Sequence, residues 1–126
     1  MPITLEDLID RARRSLARVD PEQAAAELGG GALLVDIRPI DQRSLGGDIP
    51  GATVIDRNVL EWRLAPDSER RIDAVAGPGT RVIVLCNEGY SSSLAAATLK
   101  ELGLLNATDV IGGFQAWKAA GLPVER

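Results

Sequence analysis

The chain has 126 residues, a length that fits one domain of ordinary size and leaves no room for two. Fourteen Lys and Arg against eighteen Asp and Glu give a net charge of −4, which argues against nucleic acid as the main partner. With no histidine and one cysteine, Cys86, the chain can build neither a zinc site, a Cys-His pair, an internal disulfide nor a dithiol redox centre.

Thr4 is placed to cap a helix beginning at Leu5, with Glu6 and Asp7 in its first turn, where acids suit the dipole. Leu5, Leu8, Ile9, Ala12 and Leu16 recur at helical spacing, and Arg11, Arg13, Arg14 and Arg18 fall on or near the other face. Those arginines form either a docking surface or, as such runs usually do, a solvated face. Residues 1–10 lack the apolar core of a signal peptide, and no stretch approaches the roughly 20 apolar residues of a membrane span. Together with the lone thiol, this leads us to expect a cytoplasmic protein with no membrane partner.

Asp20-Pro21-Glu22-Gln23 reads as a second helix start, with Asp as N-cap, Pro at N1 and Gln in capping-box position; the helix runs to about Leu28 and stops at three glycines. Residues 32–37 form a short apolar run ending in charge, the pattern of a strand buried on both faces. After the Ile49-Pro50-Gly51 turn signal, residues 52–55 are a shorter strand. Asn58 is placed to cap a brief helix through Leu64, and residues 67–75 read as another helix, ended by Gly77-Pro78-Gly79.

Residues 81–86 are the clearest strand, rich in β-branched side chains. A glycine-containing loop leads into a helix over residues 93–102, stopped by Gly103. Residues 108–111 are a last strand, and Gly112-Gly113 opens a final helix through Phe114 and Trp117, both read as core. Strands alternate with helices throughout, which calls for a mostly parallel sheet covered on both faces.

The segment Cys86-Asn87-Glu88-Gly89-Tyr90-Ser91-Ser92-Ser93 carries the chemistry. It puts a thiol at the carboxyl end of a central strand, where open α/β sheets bind ligands, and runs on into a helix N-terminus. A free thiol with a pKa of ~8.5 is only a few per cent ionised at neutral pH. A helix N-terminus contributes up to ~2 kcal/mol towards the thiolate in a favourable buried geometry, and converging amides add to it. The competing reading is that Cys86 is an ordinary small buried residue.

Four segments in this order resemble single-domain rhodaneses, the thiosulfate sulfurtransferase-like proteins: Leu34-Val35-Asp36-Ile37-Arg38, Gly47-Asp48-Ile49-Pro50-Gly51-Ala52, the Cys86 loop, and Gly112-Gly113-Phe114-Gln115-Ala116-Trp117. The match covers roughly residues 21–124. The resemblance implies a rhodanese-like three-layer α/β domain over residues 20–126, with a five-stranded, mostly parallel sheet and helices on both faces, preceded by an N-terminal helical extension over residues 1–19. It implies that Cys86 takes a sulfane sulfur as a persulfide and passes it on. The donor would be a small sulfur-containing anion such as thiosulfate or a protein persulfide, and the acceptor a thiol or cyanide. No cofactor and no metal are implied. The loop Asn87, Glu88, Gly89, Tyr90, Ser91 and Ser92 would bind the substrate, Cys86, Gly89, Ser91 and Ser92 matching a Cys-x-x-Gly-x-Ser-Ser pattern of short bacterial members.

Two departures stand out. Many family loops carry a cation where this one carries Glu88, and Asp48 stands where many relatives have histidine. A carboxylate ~8 Å from the sulfur costs about 0.5 kcal/mol in water, less than the amides contribute, but it disfavours a dianion. Arg38, Arg57 and Arg63 are the candidates to compensate, with a salt bridge to Asp36 or Asp41 as Arg38's other role. Two further functions compete. A cysteine phosphatase loop follows Cys-x5-Arg, but the clamp position here is Ser92. A non-catalytic binding module of the same fold would use the pocket or the arginine-bearing first helix.

Overall fold

A computed structural model describes residues 1–126. Four strands, β1 (Leu33–Asp36), β2 (Thr53–Val54), β3 (Val82–Leu85) and β4 (Ala107–Asp109), form one parallel sheet in the order β2-β1-β3-β4. The sheet therefore has four strands, where the family resemblance implied five. Beyond β4 the chain adds a single parallel bridge, Val19 to Val110, with Val19 N–H donating to Asp109 O at 3.2 Å. Asp20 then caps the next helix, which prevents that bridge from growing into a strand.

Six helices surround the sheet: α1 (Leu5–Arg14), α2 (Pro21–Gly29), α3 (Ile40–Gly46), α4 (Leu60–Leu64), α5 (Ser91–Glu101) and α6 (Gly113–Ala119). None is long and apolar enough to cross a membrane. The alternating strand residues split the core in two. Val35, Val82 and Val84 face α4 and α5 through Leu60, Leu64, Ala95, Ala96 and Leu99. Leu34, Ile83 and Leu85 face α2 and α6 through Ala24, Phe114 and Trp117. Trp117 and Phe114 are fully buried, each worth about 1.5–3 kcal/mol of apolar transfer, and the Trp117 indole N–H donates to Pro123 O at 2.9 Å. α1 lies outside this body against α5, burying Ile9 and Ala12; Thr4 and Asp7 close its capping box.

Residues 67–75 form turns rather than the expected helix. Only Val75 there is buried, too little for an apolar stripe, and Ser68 bonds its neighbours instead, accepting from Arg70 N–H at 3.1 Å and donating to Trp62 O. Asn58 does not cap the brief helix: α4 starts after Val59 with no side-chain cap, and Asp56 caps the 3-10 turn over Arg57–Val59 that feeds it, its carboxylate accepting from Asn58 N–H at 2.7 Å. The short α3 had no counterpart in the sequence reading, and none of its residues is buried, so no apolar period marks it.

Candidate active site

β3 ends at Leu85 and delivers Cys86 to the carboxyl edge of the sheet, and five residues later α5 begins. The Sγ accepts the Gly89 amide at 3.1 Å and the Ser92 amide at 3.3 Å. Cys86 is 6% exposed, at the floor of a cavity of about 280 Å³ that it shares with Ile37, Arg38, Pro39, Gln42, Asn87, Glu88, Tyr90 and Ser91.

The loop's carbonyls explain where its amides go. Cys86 O accepts from Phe114 N–H at 2.8 Å and Asn87 O from Gln115 N–H at 3.0 Å, both in the first turn of α6. Gly89 O accepts from Arg13 at 2.8 Å and Arg18 at 3.0 Å. In a trans peptide the N–H points opposite to the C=O, so anchoring these three carbonyls outward turns the amides of Asn87, Glu88 and Tyr90 the other way. The amides of Asn87, Glu88, Tyr90 and Ser91 have no hydrogen-bond partner within the chain. Six main-chain donors thus belong to the loop around one sulfur, two on it and four free.

This tight wrap depends on glycine. Gly89 has φ +87°, and Gly113 has φ +57°, a conformation in which a side chain is disfavoured. A Cβ on Gly113 would lie 2.4 Å from Cys86 O and 2.8 Å from Gly89 N, so its absence is what lets α6 approach the loop.

Burial alone pushes the Cys86 thiol up. Hydrogen bonds from the Ser92 and Ser91 hydroxyls and from the Ser92 and Gly89 amides outweigh it and bring the thiol below its ordinary value. The single hydroxyl proton of Ser92 also has the Asp109 carboxylate as acceptor, at 2.7 Å. The two amides have no such competitor and are the dependable part of the stabilisation.

The arginines sort differently from expectation. Arg38 borders the cavity, but its side chain is fully buried, bonded to Asp36 at 2.8 Å and to Gly47 O at 2.8 Å, and stacked 3.8 Å from the Phe114 ring centroid. It joins strand to loop rather than offering a free charge. Arg57 pairs with Glu61 at 2.9 Å and Arg63 donates to Arg70 O at 3.0 Å; neither borders the cavity. Glu88 is exposed at the rim, and Arg38 is the only other charged residue there.

Sequence reasoning missed the groups behind the loop. Arg13 and Arg18, expected on a solvated face, reach Gly89 O, and Arg18 forms a bidentate pair with buried Asp109 at 2.8 and 3.2 Å. Asp109 also accepts the Ser93 hydroxyl at 2.8 Å. Nothing in a spacing of five residues across the end of α1 would have brought these two arginines to one carbonyl.

Comparison with known proteins places the chain in a family. The model of the rhodanese-like domain matches residues 20–120. The chain belongs to the rhodanese-like family. This rhodanese-like chain is 37% identical over 102 residues to the thiosulfate sulfurtransferase GlpE of Pseudomonas entomophila, a match covering 81% of this chain and 84% of that one. It is 38% identical over 92 residues to the adenylyltransferase and sulfurtransferase MOCS3-2 of Zea mays, covering 73% of this chain but 18% of that protein. The chain thus spans about a fifth of the length of that relative. A solved Rhodopseudomonas palustris structure, described as a protein of unknown function and possible tyrosine phosphatase, superposes with a TM-score of 0.86 at 30% identity and covers 99% of both chains.

Proposed function

We propose that the protein is a sulfurtransferase that works through a Cys86 persulfide. The observation that carries this reading is the ring of main-chain donors: two amides already on Sγ and four without partners around it. The Cys86 thiolate attacks the sulfane sulfur of a donor such as thiosulfate. A sulfur–sulfur bond forms to Cys86, the donor's own sulfur–sulfur bond breaks, and sulfite leaves with the electron pair. The terminal persulfide sulfur carries the negative charge into the space served by the free amides, which is electrostatic stabilisation without a cation. A nucleophilic acceptor, a thiolate or cyanide, then takes that terminal sulfur and restores the Cys86 thiolate.

Phosphoryl transfer fits less well, despite the description attached to the Rhodopseudomonas relative. Such loops clamp the oxyanion with an arginine, and here Ser92 holds that position and donates to Asp109. The two guanidiniums at the loop bind its carbonyl from behind, and Arg38 is paired with Asp36.

The test is intact mass after incubation with thiosulfate. The expected result is a gain of one sulfur atom, removed by cyanide; no gain with either thiosulfate or an organic persulfide favours a binding module. Because Glu88 is the unpaired charge at the rim, thiosulfate is expected to load the enzyme more slowly than an uncharged persulfide donor. Glu88→Gln is expected to raise the thiosulfate loading rate about two- to fivefold. An unchanged rate would refute the rim electrostatics.

A further inference from the structure

The geometry points to Arg13 as a positioning residue of the sulfur cradle, a cation supplied from the N-terminal helix to a catalytic loop that carries none of its own. Arg13 lies outside residues 20–120, which the family model matches, so this role is not one the family assignment carries with it. The inference rests on the sulfurtransfer reading and adds a working part to it.

Three contacts hold Arg13 against the back of the loop. Its Nη2 donates to Gly89 O at 2.8 Å, its Nε donates to Ser93 Oγ at 3.0 Å, and its guanidinium carbon sits 5.2 Å from the Tyr90 ring centroid. Arg18 shares the same carbonyl, but its charge is balanced by Asp109. Arg13 has no carboxylate within salt-bridge distance. The side chain is half-buried, so its charge acts through less water than a surface arginine's would.

The effect on the sulfur follows from the peptide plane. A guanidinium on Gly89 O fixes the Gly89–Tyr90 peptide with its N–H turned away from α1. It also polarises that peptide, making the free Tyr90 amide a stronger donor. The neighbouring Gly89 amide, 3.1 Å from Sγ, is held by the same residue's placement. The charged groups bearing on the sulfur are then Glu88 and the Arg38–Asp36 pair on the cavity side, with Arg13 and the Arg18–Asp109 pair behind the loop. Of the two that form no ion pair, Arg13, which lines a cavity together with Glu6 and Asp10 of its own helix, favours the thiolate and the persulfide anion while Glu88 opposes them.

The experiment follows iodoacetamide alkylation of Cys86 against pH in the full-length chain, alongside donor kinetics, for wild type, Arg13→Gln, Arg13→Lys and Arg14→Gln. Arg14 is exposed on the same helix and makes no side-chain hydrogen bond or ion pair, so it controls for general charge. The expected result is an upward shift of the alkylation midpoint in Arg13→Gln by about half a unit to one unit. Its kcat should fall roughly three- to tenfold, while KM changes less. Arg13→Lys should recover most of the midpoint, and Arg14→Gln should match wild type. A purely structural role would lower thermal stability in both Arg13 variants and leave the midpoint in place. That outcome, or equal shifts in Arg13→Gln and Arg14→Gln, overturns the inference. If the wild-type thiol itself titrates as an ordinary thiol, it is the sulfurtransfer reading that fails.

Discussion

Cys86→Ser is expected to take up no sulfur from any sulfane donor and to lose turnover to background. The substitution preserves the shape of the site, since the Gly89 and Ser92 amides that reach Sγ would reach Oγ equally well. What changes is ionisation. The same donors that bring a thiol below its ordinary value leave a serine hydroxyl protonated at any working pH, and an alkoxide is in any case a poor partner for sulfane sulfur. As Cys86 belongs to the same apolar cluster as Ile37, Val84 and Ala95, replacing sulfur by oxygen costs about 1 kcal/mol of stability, and the variant should fold. Retained turnover in a folded Cys86→Ser protein would mean that another group carries the sulfur; as the chain has no second cysteine, the persulfide mechanism would then be untenable.

Gly113→Ala is expected to be the most damaging conservative change outside the loop. The added methyl would meet Cys86 O at 2.4 Å, Gly89 N at 2.8 Å and the Asn87 carbonyl carbon at 2.9 Å. All three are backbone atoms, so no rotamer change relieves the clash, and alanine is also strained at φ +57°. Overpacking plus strain amounts to about 2–4 kcal/mol, a fall in melting temperature of roughly 10 °C measured by thermal denaturation. Activity should be lost even below that transition, because the displaced Cys86 and Asn87 carbonyls are the ones that turn the loop amides. Gly77→Ala, where no atom lies within 4 Å of a built Cβ and φ is not positive, should stay within about 0.5 kcal/mol of wild type. Similar melting temperatures for the two variants would contradict the close packing of α6 on the loop.

The parts of this molecule that could be read from sequence are those governed by local chemistry. The β-branched run ending at Cys86, the Thr4 and Asp20 caps, and the glycines that end helices each carry their signal within a few residues. The position of the thiol at a strand end was legible for the same reason. The failures were of two kinds. Residues 67–75 precede a Gly77-Pro78-Gly79 stop as a helix would, but they carry no apolar stripe, and the chain there satisfies its backbone through turns. Arg13, Arg18 and Asp109 were invisible because their roles arise only when α1, β4 and the loop meet. Such contacts between residues 71 to 91 positions apart leave no periodic trace. Arg38 had two readings in the sequence, a charge for the substrate or a salt bridge to Asp36 or Asp41, and the structure holds the bridge to Asp36 at the cavity's edge.

The central claim is that main-chain donors hold one sulfur ionised at the edge of the sheet. Its most direct measurement is the pH dependence of Cys86 alkylation in the native wild-type chain, with the unfolded chain as reference. A lowered native value means that thiolate reactivity persists as pH falls below the unfolded midpoint and is lost only as pH passes through the native one. The account predicts a native midpoint clearly below that of the unfolded chain. A native midpoint equal to it or higher, as burial among aliphatic side chains alone would produce, would contradict the account.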